Sequence, residues 1–313
     1  MKALQIIIFS LIVATFVCGN DNVSNLISGF RNLTTITRKL PISEQSEIYE
    51  KSMISKKELL ELAETNKNIT VILGQELLNT PLPKKSRYGD FLYVCELTDI
   101  LGKQNRNLLL SCTDKILDST NWSRMATCRL LSEILRLRRL YATNSNFNEE
   151  LLRDVFLKAA NDKRMNVKSV AIRGLIGVDP VLAEAAGEYP VEPIDQKNGE
   201  IIAKQIIENA EDDSTKIRFY KKLYKANLAK TEYINYLKEE MSNTNVHLFA
   251  RKELAEKLLS IKGIDKKEVD KLRSECKNLL EKSQREAKAA NYDAESKEKQ
   301  EAIKQGMLEA MRY

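Results

Sequence analysis

Histidine is all but missing from this 313-residue chain, which carries one, His247. A lone imidazole removes most general-base and transition-metal designs, because those chemistries recruit histidine as base or ligand. The five cysteines form no CxxC pair, and His247 is not in ligand spacing with any of them. No GxSxG, HExxH, phosphate-cradling glycine loop or EF-hand spacing occurs. Together these absences argue against an enzyme and give no motif for a cofactor, a metal or a small-molecule substrate. Glycine (11), proline (6) and aromatic residues (6%) are also scarce. Sheets and tight hairpins need those residues, and no stretch alternates apolar and polar with period two, so no sheet is expected.

A large excess of one charge is missing too. The net charge is +6 from 50 basic and 44 acidic residues, well mixed along the chain. That describes a solvated helical surface better than a nucleic-acid footprint. Leu, Lys, Glu, Ala and Ile are plentiful, a composition that with so little Gly, Pro and aromatic residue favours helices over sheets.

The amino terminus suggests the compartment. Lys2 is the only charge before Asp21, and Ala3 to Val17 is almost wholly apolar. A short basic region ahead of an apolar run of this length has the form of a signal peptide over residues 1–19, and the run is marginal for a permanent span. Val17-Cys18-Gly19 permits cleavage before Asn20; Cys18 alternatively permits lipidation, although Val17 is bulky for that pattern. Export to a periplasm or cell envelope is therefore expected, a bacterial source being suggested by the Asn, Lys and Ile content, with secretion the counterpart in a eukaryote. The mature chain retains Cys95, Cys112, Cys128 and Cys276. Burial as free thiols and a bridge among the first three are both open in an oxidising compartment. Sequons at Asn22, Asn32, Asn68 and Asn121 matter only if the source glycosylates; Asn121, next to a helix start, has a simpler role as a cap.

Residues 20–54, rich in Asn, Ser and Thr, read as a polar linker holding weak helices. Ser55-Lys56-Lys57-Glu58 is a capping box and suggests that a helical body begins there and runs to residue 261. Helices are expected near 88–102, 105–118, 121–141, 147–160, 165–178, 198–211, 215–228, 230–242 and 245–261, with a short one opened by Asp179-Pro180. Asp265, with Glu268 in capping-box position, opens a long charged helix over 262–313. A stripe from Val269 through Leu272, Cys276 and Leu279 marks one face of it.

Asn166 to Val178 (NVKSVAIRGLIGV) resembles the second helix of a HEAT-type repeat, and Asp162 lies in the approaching turn. Segments starting near Arg124, Lys216 and His247 echo its frame at uneven intervals. The resemblance covers about residues 86–261. It implies an all-α fold, an irregular α-solenoid of antiparallel helix pairs, whose exposed face contacts proteins; an irregular helical bundle is the alternative. The frame puts a small residue, Gly174, where two helices approach closely. In the 121–141 helix, Cys128, Leu130, Leu131, Ile134, Leu135, Leu137 and Tyr141 cover half of the wheel. Arg129, Ser132, Arg136 and Arg139 fill the rest, and Glu133 can pair with Arg129 or Arg136. These arginines are the candidate partner-binding residues, for an acidic protein segment or anionic head groups. The reading is a non-enzymatic helical-repeat scaffold that binds protein partners. A membrane-tethered structural envelope protein is its rival, and a helical enzyme acting on cell-wall polymer is a more distant one.

Overall fold

The computed structural model describes residues 23–31, 42–80, 88–120, 122–141 and 147–242, together with isolated positions beyond. Every regular element among them is helical: α1 (23–31), α2 (Ile42–Thr65), α3 (Lys67–Asn79), α4 (Tyr88–Gln104), α5 (Arg106–Asp118), α6 (Arg124–Leu140), α7 (Glu149–Ala160), α8 (Met165–Ile176), α9 (Pro180–Ala185), α10 (Gln196–Glu208), α11 (Asp213–Lys225) and α12 (Lys230–Ser242). The chain is an all-α protein. Apart from isolated positions, the expected helices near 245–261 and over 262–313 lie outside the described residues, as does the segment 1–19. No helix among the described residues is long and apolar enough to cross a membrane.

Short polar side chains set where these helices begin. Asn66, Asn105, Ser123, Asn148, Asp179 and Asp212 each hold an N-cap, accepting a hydrogen bond from a first-turn amide that would otherwise lack a partner. The cap of α6 is therefore Ser123 and not Asn121. Asp179 and Pro180 open α9 as the sequence suggests. The Ser55 box opens nothing, because Ser55 lies inside α2, which starts at Ile42. Nor are residues 20–54 only a linker. Val23, Ile27 and Phe30 of α1 are buried, and the Phe30 ring sits 5.8 Å from that of Tyr93 on α4. Tyr93 donates its hydroxyl to Glu76 at 2.9 Å, and Arg31 reaches the same carboxylate at 3.5 Å. This latch holds α1 on α3 and α4, so a spacer function for the segment loses its support.

Two compact units divide the described chain, residues 1–175 with 191–199, and residues 176–190 with 200–313. Within the first, α2 packs on α3, α3 on α4, α4 on α5 and α5 on α6. Each helix also packs on its second neighbour: α4 lies against both α2 and α6, and α5 against both α3 and α7. Leu97, Ile100, Leu101, Leu109, Leu110, Leu130, Leu131 and Ile134 fill the space they enclose. A methyl group built on Gly174 of α8 would stand 2.5 Å from Cε1 of Phe156 and 3.0 Å from Cδ2 of Leu135. The close approach expected at Gly174 is thus present, made by the side chains of Phe156 on α7 and Leu135 on α6. Arg164, at the turn before α8, donates to Asp162, to the Trp122 carbonyl and to the Thr127 hydroxyl, tying that turn to the start of α6.

In the second unit α11 packs on α12 through a ladder of tyrosines. Tyr220 stacks on Tyr236 at 5.0 Å and on Tyr233 at 6.4 Å, and Tyr224 tilts against Tyr233. Burial pushes the Tyr233 phenol up to about 12. Lys204 of α10 pairs with Glu200 and lies 3.9 Å from Glu232 of α12. Asn227 ends α11 in the left-handed region (φ 60°), which asparagine tolerates better than most residues, and Leu228 then bonds back to the Leu223 carbonyl.

Candidate interaction face

The candidate arginines lie on α6, and the helix positions them by burying its other side. Ala126, Thr127, Leu130, Leu131, Ile134, Leu135 and Leu137 face the core, whereas Cys128 is only half-buried. Advancing about 100° per residue places Met125, Arg129, Ser132, Arg136, Arg139 and Leu140 on the opposite arc. Met125 is 61% and Leu140 51% exposed, so two apolar side chains bracket the basic ones on a stripe roughly 22 Å long.

The three arginines have different surroundings. Arg139 is exposed at the end of α6. Arg129 is exposed overall but donates Nε–H to the Cys95 sulfur of α4 at 2.9 Å, a part-buried contact. Burial pushes the Cys95 thiol up, and Arg129 only partly offsets this, so the sulfur is held as a thiol and not as a reactive thiolate. Arg136 turns back to the protein, pairing with Glu133 one turn earlier and with Asp99 of α4 at 3.0 Å. Of the two partners that the sequence allowed for Glu133, it takes Arg136.

Asp99 is the hub of a network that the sequence did not reveal. Its side chain, 9% exposed, receives Lys56 of α2 at 2.7 Å, Lys103 of its own helix at 3.1 Å and Arg136 of α6. Lys56 also pairs with Glu96. One carboxylate thereby ties α2, α4 and α6 together. Burial works against the Asp99 charge, but hydrogen bonds and charge from Lys56 and Lys103 override it and hold the carboxyl below its ordinary range. A signal was present in the sequence: Asp99 is a single acid inside the apolar run Leu97 to Leu101, and a charge at a core position needs a partner.

Cys95 and Cys112 are buried and Cys128 half-buried, and all three are free thiols. No group of three His, Cys, Asp or Glu side chains among the described residues is placed to hold a metal ion. No family model, no curated protein and no solved structure matches the chain.

Proposed function

We propose that this chain is an exported, non-enzymatic helical-repeat scaffold whose α6 face docks an acidic segment of a partner protein. The observation that carries the reading is the α6 stripe, in which exposed Met125 and Leu140 flank Arg129 and Arg139. Arginine suits such a contact, since its planar fork can hold a carboxylate bidentately and its weak hydration lowers the cost of burial. The apolar ends offer an acidic partner some area to bury besides the ion pairs. Packing of each helix on its first neighbour from α2 to α6, and on its second neighbour from α2 to α7, supports a stack of helix pairs, the architecture that the HEAT resemblance implies. The apolar run from Ala3 to Val17 supports export.

Arg136 has a different part. Engaged by Asp99 and Glu133, it fixes α6 on α4 and so keeps the stripe rigid before any partner arrives. The test therefore leaves Arg136 in place and reverses its exposed neighbours, Arg129→Glu with Arg139→Glu. Exposed ion pairs contribute up to about 1 kcal/mol each, so capture of the partner from native extract should fall on the order of tenfold. The remaining binding should also lose most of its salt dependence. Unchanged capture at low and high salt by the folded variant would rule the stripe out as the contact.

A further inference from the structure

A second basic surface lies in the other compact unit, on α11. Thr215, Ile217, Phe219 and Leu223 bury one side of that helix. Arg218, Lys221, Lys222 and Lys225 all fall within about 100° on the remaining arc, with no acidic side chain of α11 between them. Arg218 and Lys221 are exposed and Lys222 half-exposed. Asp212 caps the helix, accepting from the Thr215 amide at 2.8 Å, and its charge interacts with Arg218 as well. Two contacts fix α9 and the turn after it to the far end of α11. The Asp179 amide donates to the Lys225 carbonyl at 2.8 Å, and Lys225 pairs with Glu188. Beside those contacts stand Val181, 60% exposed, and Tyr189, 67% exposed. A basic arc next to an exposed tyrosine and an exposed aliphatic side chain has the chemistry of a peripheral membrane contact: cations for head groups, an amphipathic ring and a small apolar foot for the interface.

We propose that the surface formed by α11 and the α9 turn docks on an anionic membrane, with Arg218, Lys221 and Lys222 against the head groups and Tyr189 and Val181 entering the interface. Charge complementarity and the two solvent-facing apolar side chains favour a bilayer over a soluble polyanion, which would use the cations and leave Val181 and Tyr189 idle. The proposal is independent of the α6 stripe and survives if that stripe binds nothing.

Vesicle co-sedimentation of the chain from Asn20 onward tests it, using phosphatidylcholine vesicles with and without 30% phosphatidylglycerol. Binding is expected only to the anionic vesicles and to weaken with salt. Each basic residue near such a surface contributes about 1 kcal/mol, so Arg218→Glu with Lys221→Glu should lower the partition coefficient by about 30-fold or more. Tyr189→Ser should lower it several-fold, and Arg129→Glu with Arg139→Glu should leave it unchanged. If the double reversal does not fold by circular dichroism, Arg218→Gln with Lys221→Gln replaces it, with a loss of about 30-fold expected. The proposal is overturned if anionic vesicles are not bound, if the α11 variants bind as well as the native chain, if only the α6 variant loses binding, or if heparin is bound in place of vesicles.

Discussion

Gly174→Leu is expected to destabilise the first compact unit by about 3 kcal/mol, near the upper end for overpacking a well-filled core. Even a single methyl group at this position would stand 2.5 and 2.7 Å from two carbons of the Phe156 ring. That ring is fully buried, and Leu135 closes another side at 3.0 Å. Gly174→Ala should itself cost about 1 kcal/mol, although alanine is the better helix former by roughly the same amount. Gly74→Ala is the matched control, since its new methyl group would meet Cys112 and Leu108 no closer than 3.3 Å and should change stability far less. Trp122, the single tryptophan, is buried in this unit, so its fluorescence reports the relevant unfolding transition. Adding Phe156→Leu should recover part of the Gly174→Ala loss, because the two side chains compete for one space. A Gly174→Leu protein with an unchanged urea midpoint would mean that α8 does not lie against α7 as described.

The second large effect belongs to Asp99. Asp99→Asn leaves Lys56, Lys103 and Arg136 without their shared carboxylate and places three cations around a neutral amide. Removing one partner of a buried pair costs about 3–5 kcal/mol. Lys103 and Arg136 are each more than a third exposed and find water instead, so about 2–3 kcal/mol is the expected loss here. The pH dependence has a definite sign. Because the folded protein holds the Asp99 carboxyl below its ordinary range, its contribution is complete above the unfolded-state value near 3.8 and disappears as pH falls through the lower folded value. The native chain should lose stability on acidification below about pH 4. Asp99→Asn should be less stable at neutral pH and show a shallower acid slope, as followed by Trp122 fluorescence. Parallel acid profiles for the two proteins would contradict the placement of Asp99 at the centre of the network.

Much of the helical layout was legible because it depends on local signals. Asn105 and Asp179 stand where a cap must stand, and the apolar arc of α6 is wide enough to survive any neighbour. Gly174 was legible through a weak family resemblance, which placed a small residue at a helix crossing without showing what it would meet. Three features escaped for different reasons. The Ser55 capping box is a common four-residue pattern, and nothing local says that α2 already runs through it. In α1 the buried residues Val23, Ile27 and Phe30 stand at spacings of four and three, and with the half-buried Leu26 they make a stripe too short to stand out between polar neighbours. The Asp99 hub joins side chains from α2, α4 and α6 that lie tens of residues apart in sequence, a distance over which charges cannot be paired without the fold. The same limit applied to Arg136. Its residue type and helix face were readable, but its engagement by Asp99 was not.

Photocrosslinking in the native source tests most directly whether α6 presents its stripe to an acidic partner. A photoreactive amino acid in place of Met125 sits on the stripe, and one in place of Val71 on α3, also exposed, serves as the reference position. The prediction is a protein adduct from position 125 that disappears when Arg129→Glu and Arg139→Glu are added, with no such adduct from position 71. An adduct that forms equally from both positions, or that persists at position 125 after the two charges are reversed, would contradict it.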